Sequence, residues 1–120
     1  MTEILKSKKY DLEDRTFKFT KSTIAYIKQL PKNTSNIEIS KQLVRSAGSV
    51  GANYIEANES LGKKDFAMRI RISRKEAKES RYWLGLSEPS EKQLKEKESL
   101  IKESTELMNI FGAILKKIII

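Results

Sequence analysis

Glu56, Glu76 and Glu79 are the residues whose type and spacing come nearest to a reactive constellation. Two glutamates three apart on a helix bring their carboxylates together, and helical bundles hold di-metal centres with such pairs. Those centres usually add histidine, and this chain has none. The absence removes the commonest general base near neutral pH and the commonest metal ligand. Cysteine is absent too, so thiolate nucleophiles, cysteine zinc sites, iron–sulfur clusters and disulfides are excluded. An enzyme would have to work from carboxylates, Lys or Tyr alone. The expectation is therefore no catalytic residue, no metal, no cofactor and no small-molecule substrate. The glutamates are instead expected to pair with Arg45, Arg69 or Arg81, or to join a buried polar network with Asn53 and Ser49.

A second pattern suits binding better. Residues 63–83 contain eight Lys or Arg against three acids, in a chain whose net charge is +8 and whose isoelectric point is near 9.7. Projected at 100° per residue, Arg71, Arg74, Lys75, Lys78 and Arg81 share one helix face with Tyr82, and Lys64 extends it. Clustered cations displace counterions from a phosphate backbone, giving salt-sensitive affinity with little regard for sequence. An adjacent Tyr can stack on a base. The competing reading is a solvated helix face whose arginines pair with acids on neighbouring helices.

The same segment has a third face on which Met68, Ile72 and Trp83 lie beside Glu76 and Glu79. That is more apolar surface than a monomer usually leaves wet, so a second copy of the chain is expected to cover it. The alternative is a core wide enough to take these residues. Gly48 and Gly51 point to the same interface. Each costs a helix about 1 kcal/mol relative to Ala, which a closely packed neighbouring helix would offset.

The elements that position these residues follow from apolar spacing. Residues 1–10 show no clear period and read as a loose arm. Spacings of three and four predict a helix over 12–30, with Leu12, Thr16, Phe19, Thr23, Tyr26, Ile27 and Leu30 on its stripe and Phe17 and Ile24 broadening it. Pro31 ends it. A helix over 36–61, capped by Ser35 or Asn36, places Ile39, Leu43, Ala47, Val50, Tyr54, Ala57 and Leu61 inward, with Ile37, Val44, Gly48, Gly51 and Ile55 on a second stripe. Gly62 closes it. The third helix covers 63–86 with Asp65 as a candidate cap, and its core stripe is Phe66, Ile70, Ser73, Ala77, Ser80 and Leu84. The fourth covers 89–118, with Ser87 or Ser90 as its cap. Four helices with short links predict an all-α, antiparallel up-down four-helix bundle. No uncharged run approaches the roughly 18 residues that would suggest a membrane span. No targeting signal is visible, so a cytoplasmic protein with no membrane partner is expected.

Residues 43–86 resemble the four-helix-bundle proteins encoded within intervening sequences of large-subunit ribosomal RNA genes. The shared features are R-S-A-x-S-V-G-A-N at residues 45–53, I-E-A at 55–57, D-F at 65–66 and K-E-A-K-E-x-R-Y-W-L at 75–84. A Phe-x-x-x-Lys-Ser…Leu-Pro pattern from Phe17 to Pro31 precedes them. The likeness extends over about residues 15–118. It implies an up-down bundle without enzymatic activity, commonly a homopentamer forming a barrel around a central channel. A related group, the accessory proteins of diversity-generating retroelements, is similar and pairs a basic pentamer with a reverse transcriptase and nucleic acid. Many family members have Glu-Gly where this chain has Ala57 and Asn58. The expectation is a non-enzymatic homo-oligomer that binds RNA or DNA backbone through its basic face. The alternative is a structural adaptor that docks a partner protein.

Overall fold

The computed structural model describes residues 2–119, and side chains for residues 12–118. Four α-helices follow in order: α1 (Thr2–Gln29), α2 (Thr34–Asn58), α3 (Lys63–Leu86) and α4 (Leu94–Ile119), the last entered through a 3-10 turn at Glu91–Gln93. The first helix thus begins at Thr2, ten residues ahead of the start expected at residue 12.

Side-chain contacts fix the topology as antiparallel throughout. Thr20 reaches the Ala47 carbonyl and Asn58 reaches Glu13, so α2 runs back along α1. Ser80 meets Ser46, Ser73 meets the Val50 carbonyl and Arg69 meets Asn53, which sets α3 against α2. Arg81 contacts Thr105 on α4, and Arg15 is held by Glu103 and Glu106. The result is an up-down bundle of 46 × 24 × 20 Å.

The core consists of the predicted stripes. Leu12, Phe19, Tyr26, Leu43, Val50, Ile70, Leu84, Leu107 and Phe111 are all buried. Small residues make the α2–α3 seam tight: Ser46, Ala47, Ser73, Ala77 and Ser80 are fully covered. Their hydroxyls are satisfied by carbonyls or by one another at 2.9–3.2 Å, so burial orphans none of the three.

Helix ends depart from the expected caps. Asn33, not Ser35 or Asn36, caps α2, its side chain accepting from the Asn36 N–H at 2.8 Å. Asn36 is buried and acts as a staple. Its amide donates to the Pro31 and Glu88 carbonyls at 2.8 and 2.9 Å and accepts from the Glu88 N–H at 2.9 Å. One side chain thus ties the α1–α2 turn to the α3–α4 link. The second helix ends at Asn58, so Gly62 does not close it; Gly62 instead precedes α3 as an N-cap with no side-chain bond. Asp65 sits inside the first turn of α3. Leu61, expected in the core, is fully exposed in the link because the helix has already stopped. Ser87 bonds the buried Tyr26 hydroxyl at 2.7 Å instead of capping α4. Burial raises the pKa of that phenol.

Candidate nucleic-acid interface

The third helix divides into three faces in space as in projection. Ile70, Ser73, Ala77, Ser80 and Leu84 point inward. Lys64, Arg71, Lys75, Lys78 and Tyr82 lie on nearly one line along the opposite side and are exposed. Arg74 and Arg81 flank that line on the side facing α4. Arg81 is half-buried and donates to Thr105 at 3.4 Å, so it belongs to the helix–helix seam more than to the open stripe.

Arg71, Arg74, Lys75 and Lys78 form one wall of a groove of about 770 Å³ between α3 and α4. The facing wall and floor come from Met108, Asn109, Gly112, Ala113, Leu115 and Lys116. Arg74 lies over Gly112: a Cβ at that glycine would come within 3.6 Å of Arg74 Nε. The α4 side of the groove was not singled out in the sequence, although the pair of small residues followed by Lys116 was a usable signal.

These cations keep their charge turned outward because the acids near them are held elsewhere. Arg45 of α2 binds Glu76 at 3.1 Å and Glu79 at 2.7 Å. Glu76 is buried. Glu79 also accepts from the Trp83 indole N–H at 3.4 Å. The Arg45 hydrogen bond is the main reason that the Glu79 pKa is lowered; the Trp83 bond and the fields of Arg45 and Lys75 add to it, against desolvation. Arg71, Arg74, Lys75 and Lys78 enter no ion pair among the described residues.

A second groove, of about 540 Å³ between α1 and α4, shows the contrast. It carries Glu96, Glu103 and Glu106 beside Arg15, Lys18 and Lys102. Arg15 is clamped by both oxygens of Glu103 at 2.7 Å. Mixed charge makes that groove a poor anion site.

The expected pairing of the glutamates is therefore present through Arg45, and Asn53 joins Ser49 and Arg69 in a polar network. Glu56 is exposed and takes no part in an ion pair among the described residues. Among the described residues, no group of three acids gathers closely enough to hold a metal ion.

The apolar residues assigned to an oligomer interface are not all placed as expected. Trp83 is half-buried against its own core, edge-on to Tyr82 with ring centroids 5.0 Å apart. Ile72 is half-buried and Met68 is 43% exposed. The close neighbour of Gly51 is Thr16 of the same chain, whose Oγ1 would lie 2.9 Å from an added Cβ, while Gly48 faces open space. The tight glycine contact thus belongs to the α1–α2 seam inside one subunit. Other large apolar side chains are exposed too: Phe17 (67%) on α1, and Ile55 (49%) and Val44 on α2. Phe17 and Ile24, expected to broaden the α1 stripe, lie outside the buried core, Phe17 exposed and Ile24 half-buried.

No described helix is long and apolar enough to cross a membrane. No curated protein matches the chain. A solved structure does: a protein of unknown function from the S23 ribosomal protein family of Bacteroides thetaiotaomicron VPI-5482. It has 31% sequence identity and a TM-score of 0.78, over 91% of this chain and 98% of that one. The family model described as 23S rRNA-intervening sequence protein matches residues 8–113. Neither name denotes an enzyme. With most of its length inside that match and its four helices arranged as in a solved S23-family bundle, the chain belongs to the 23S rRNA-intervening sequence protein family.

Proposed function

We propose that this protein is a non-enzymatic, homo-oligomeric bundle that binds the phosphate backbone of RNA or DNA along α3 and the α3–α4 groove. The observation that carries this reading is the division of charge on one helix. Arg45 draws Glu76 and Glu79 toward α2, while Arg71, Arg74, Lys75 and Lys78 face solvent and enter no ion pair among the described residues. Surface arginines and lysines that only serve solubility are normally interspersed with acids.

Five cations, these four and Lys116, can each neutralise one phosphate. For a single strand the slope of log K against log salt is then about −3.5, or roughly a hundred-fold loss of affinity between 50 and 200 mM salt. Fluorescence anisotropy with labelled RNA across that range tests it. Absence of binding at 50 mM, or salt-independent binding, refutes the proposal.

Assembly rests on the exposed apolar residues of α1, α2 and α3. Phe17, Val44, Ile55 and Met68 together leave more hydrocarbon in water than scattered surface residues do. Multi-angle light scattering should give a multiple of 13.8 kDa, five-fold on the family resemblance, and Ile55→Glu should lower it. A monomer at every concentration would refute self-assembly and leave this surface for a different protein, the adaptor reading.

A further inference from the structure

Resting on that backbone-binding reading, we infer that the basic groove takes a single strand with its bases unstacked from a partner, in preference to a duplex. Two features of the groove and one beside it on α3 select the strand. First, its cations stand on two sides of a narrow trough: Arg71, Arg74, Lys75 and Lys78 on α3, Lys116 on α4. Packed helices lie with axes about 8–10 Å apart, so the trough admits one chain of nucleotides. A duplex is a rigid rod with two phosphate rows set about 6 or 12 Å apart across its grooves, and it would ride on the rim.

Second, the floor is made for a flat apolar group. Gly112, Ala113 and Met108 line it, and the Arg74 side chain is laid across Gly112. A guanidinium plane held over a glycine offers a stacking face to an unpaired base.

Third, Tyr82 continues the cation line at 61% exposure. It does not hang free. Trp83 meets it edge-on at 5.0 Å and is itself fixed by the hydrogen bond to Glu79. Tyr82 is thus a positioned aromatic platform for which a duplex, whose bases are already stacked, has no use. From Lys64 to Tyr82 the line is about 27 Å long at 1.5 Å per residue. A strand segment of about four to eight nucleotides spans that length, depending on how far its bases are stacked.

The test uses the full chain and three labelled probes of one sequence: a 12-nucleotide RNA, the same sequence as DNA, and the blunt 12-base-pair duplex. Anisotropy titrations at 50 mM salt should give at least five-fold tighter binding to either strand than to the duplex. Tyr82→Ala should weaken strand binding roughly ten-fold and leave duplex binding unchanged, while Tyr82→Phe retains the strand affinity. Because Tyr82 is mostly exposed, unchanged helical circular dichroism is expected of both variants. Equal or tighter duplex binding overturns the single-strand inference while leaving the backbone-binding proposal standing, and so does a Tyr82→Ala loss shared equally by all probes. Binding to none of the three removes both.

Discussion

Replacing Arg45 by Met tests the arrangement on which the charge division depends. Arg45 reaches across from α2 and holds two carboxylates of α3 in one guanidinium fork. Its own side chain is half exposed, so the pair with the partly exposed Glu79 is worth only a fraction of a kcal/mol. The Glu76 side chain is 8% exposed, and removing its cation leaves a covered carboxylate without a counter-charge. Breaking a fully buried pair costs about 3–5 kcal/mol; with half of Arg45 in water the expected cost is about 2 kcal/mol. At about 4 °C per kcal/mol for this length, the melting temperature should fall by about 8 °C. Urea denaturation at fixed protein concentration measures it. In a Glu76→Gln background no charge is stranded, and the same Arg45→Met change should cost under about 1 kcal/mol. The pH dependence has a defined sign. The Glu79 pKa is depressed in the fold, so its contribution is complete above the ordinary carboxylate range and is lost as pH falls through the folded value. The gap between Arg45→Met and the parent should therefore narrow as pH falls from 5 toward 3. With Arg45 gone, Glu79 is free to turn to Lys75 one helical turn away, and RNA affinity at low salt should drop although residue 45 lies outside the groove. If Arg45→Met costs the same in both backgrounds, the clamp is not what holds Glu76, and the explanation for the unneutralised stripe fails.

Two further substitutions test the packing. Gly51→Ala places a methyl 2.9 Å from Thr16 Oγ1, which is already bonded to its own helix at Leu12 and Glu13. The clash, typically 1–3 kcal/mol, should outweigh the gain of about 1 kcal/mol in helix propensity. A thermal melt showing Gly51→Ala clearly more stable than the parent would contradict the close α1–α2 approach. Asn36→Ala removes three hydrogen bonds between the two links at one end of the bundle. At about 1 kcal/mol each, it should destabilise by about 3 kcal/mol. It should also speed hydrogen exchange at the Glu88 amide, and a change below about 1 kcal/mol in denaturation would refute the staple.

Hydrophobic periodicity determined the four helices and most of the inward stripes, because the period of 3.6 residues is a local property of the chain, and the short links between them determined the antiparallel order. Thr16, Thr23, Ser73 and Ser80 were legible as core positions despite their hydroxyls, since spacing placed them there and helix carbonyls one turn back satisfy most of them. The three faces of α3 were equally legible. Tertiary structure alone decided which partner each face meets. Leu61 has the period of a core residue, yet the helix stops three residues earlier and leaves it in water. Gly48 and Gly51 are alike in sequence, and only the crossing of α1 at Thr16 separates a tight contact from an open one. Arg45, Arg69 and Arg81 were alike as expected partners of the glutamates, and only the packing of α2 against α3 selects Arg45 for both. Gly112 carries no local sign that it will lie beneath Arg74. Periodicity records which way a side chain points; distances between helices far apart in sequence arise only when the packed chain brings them together.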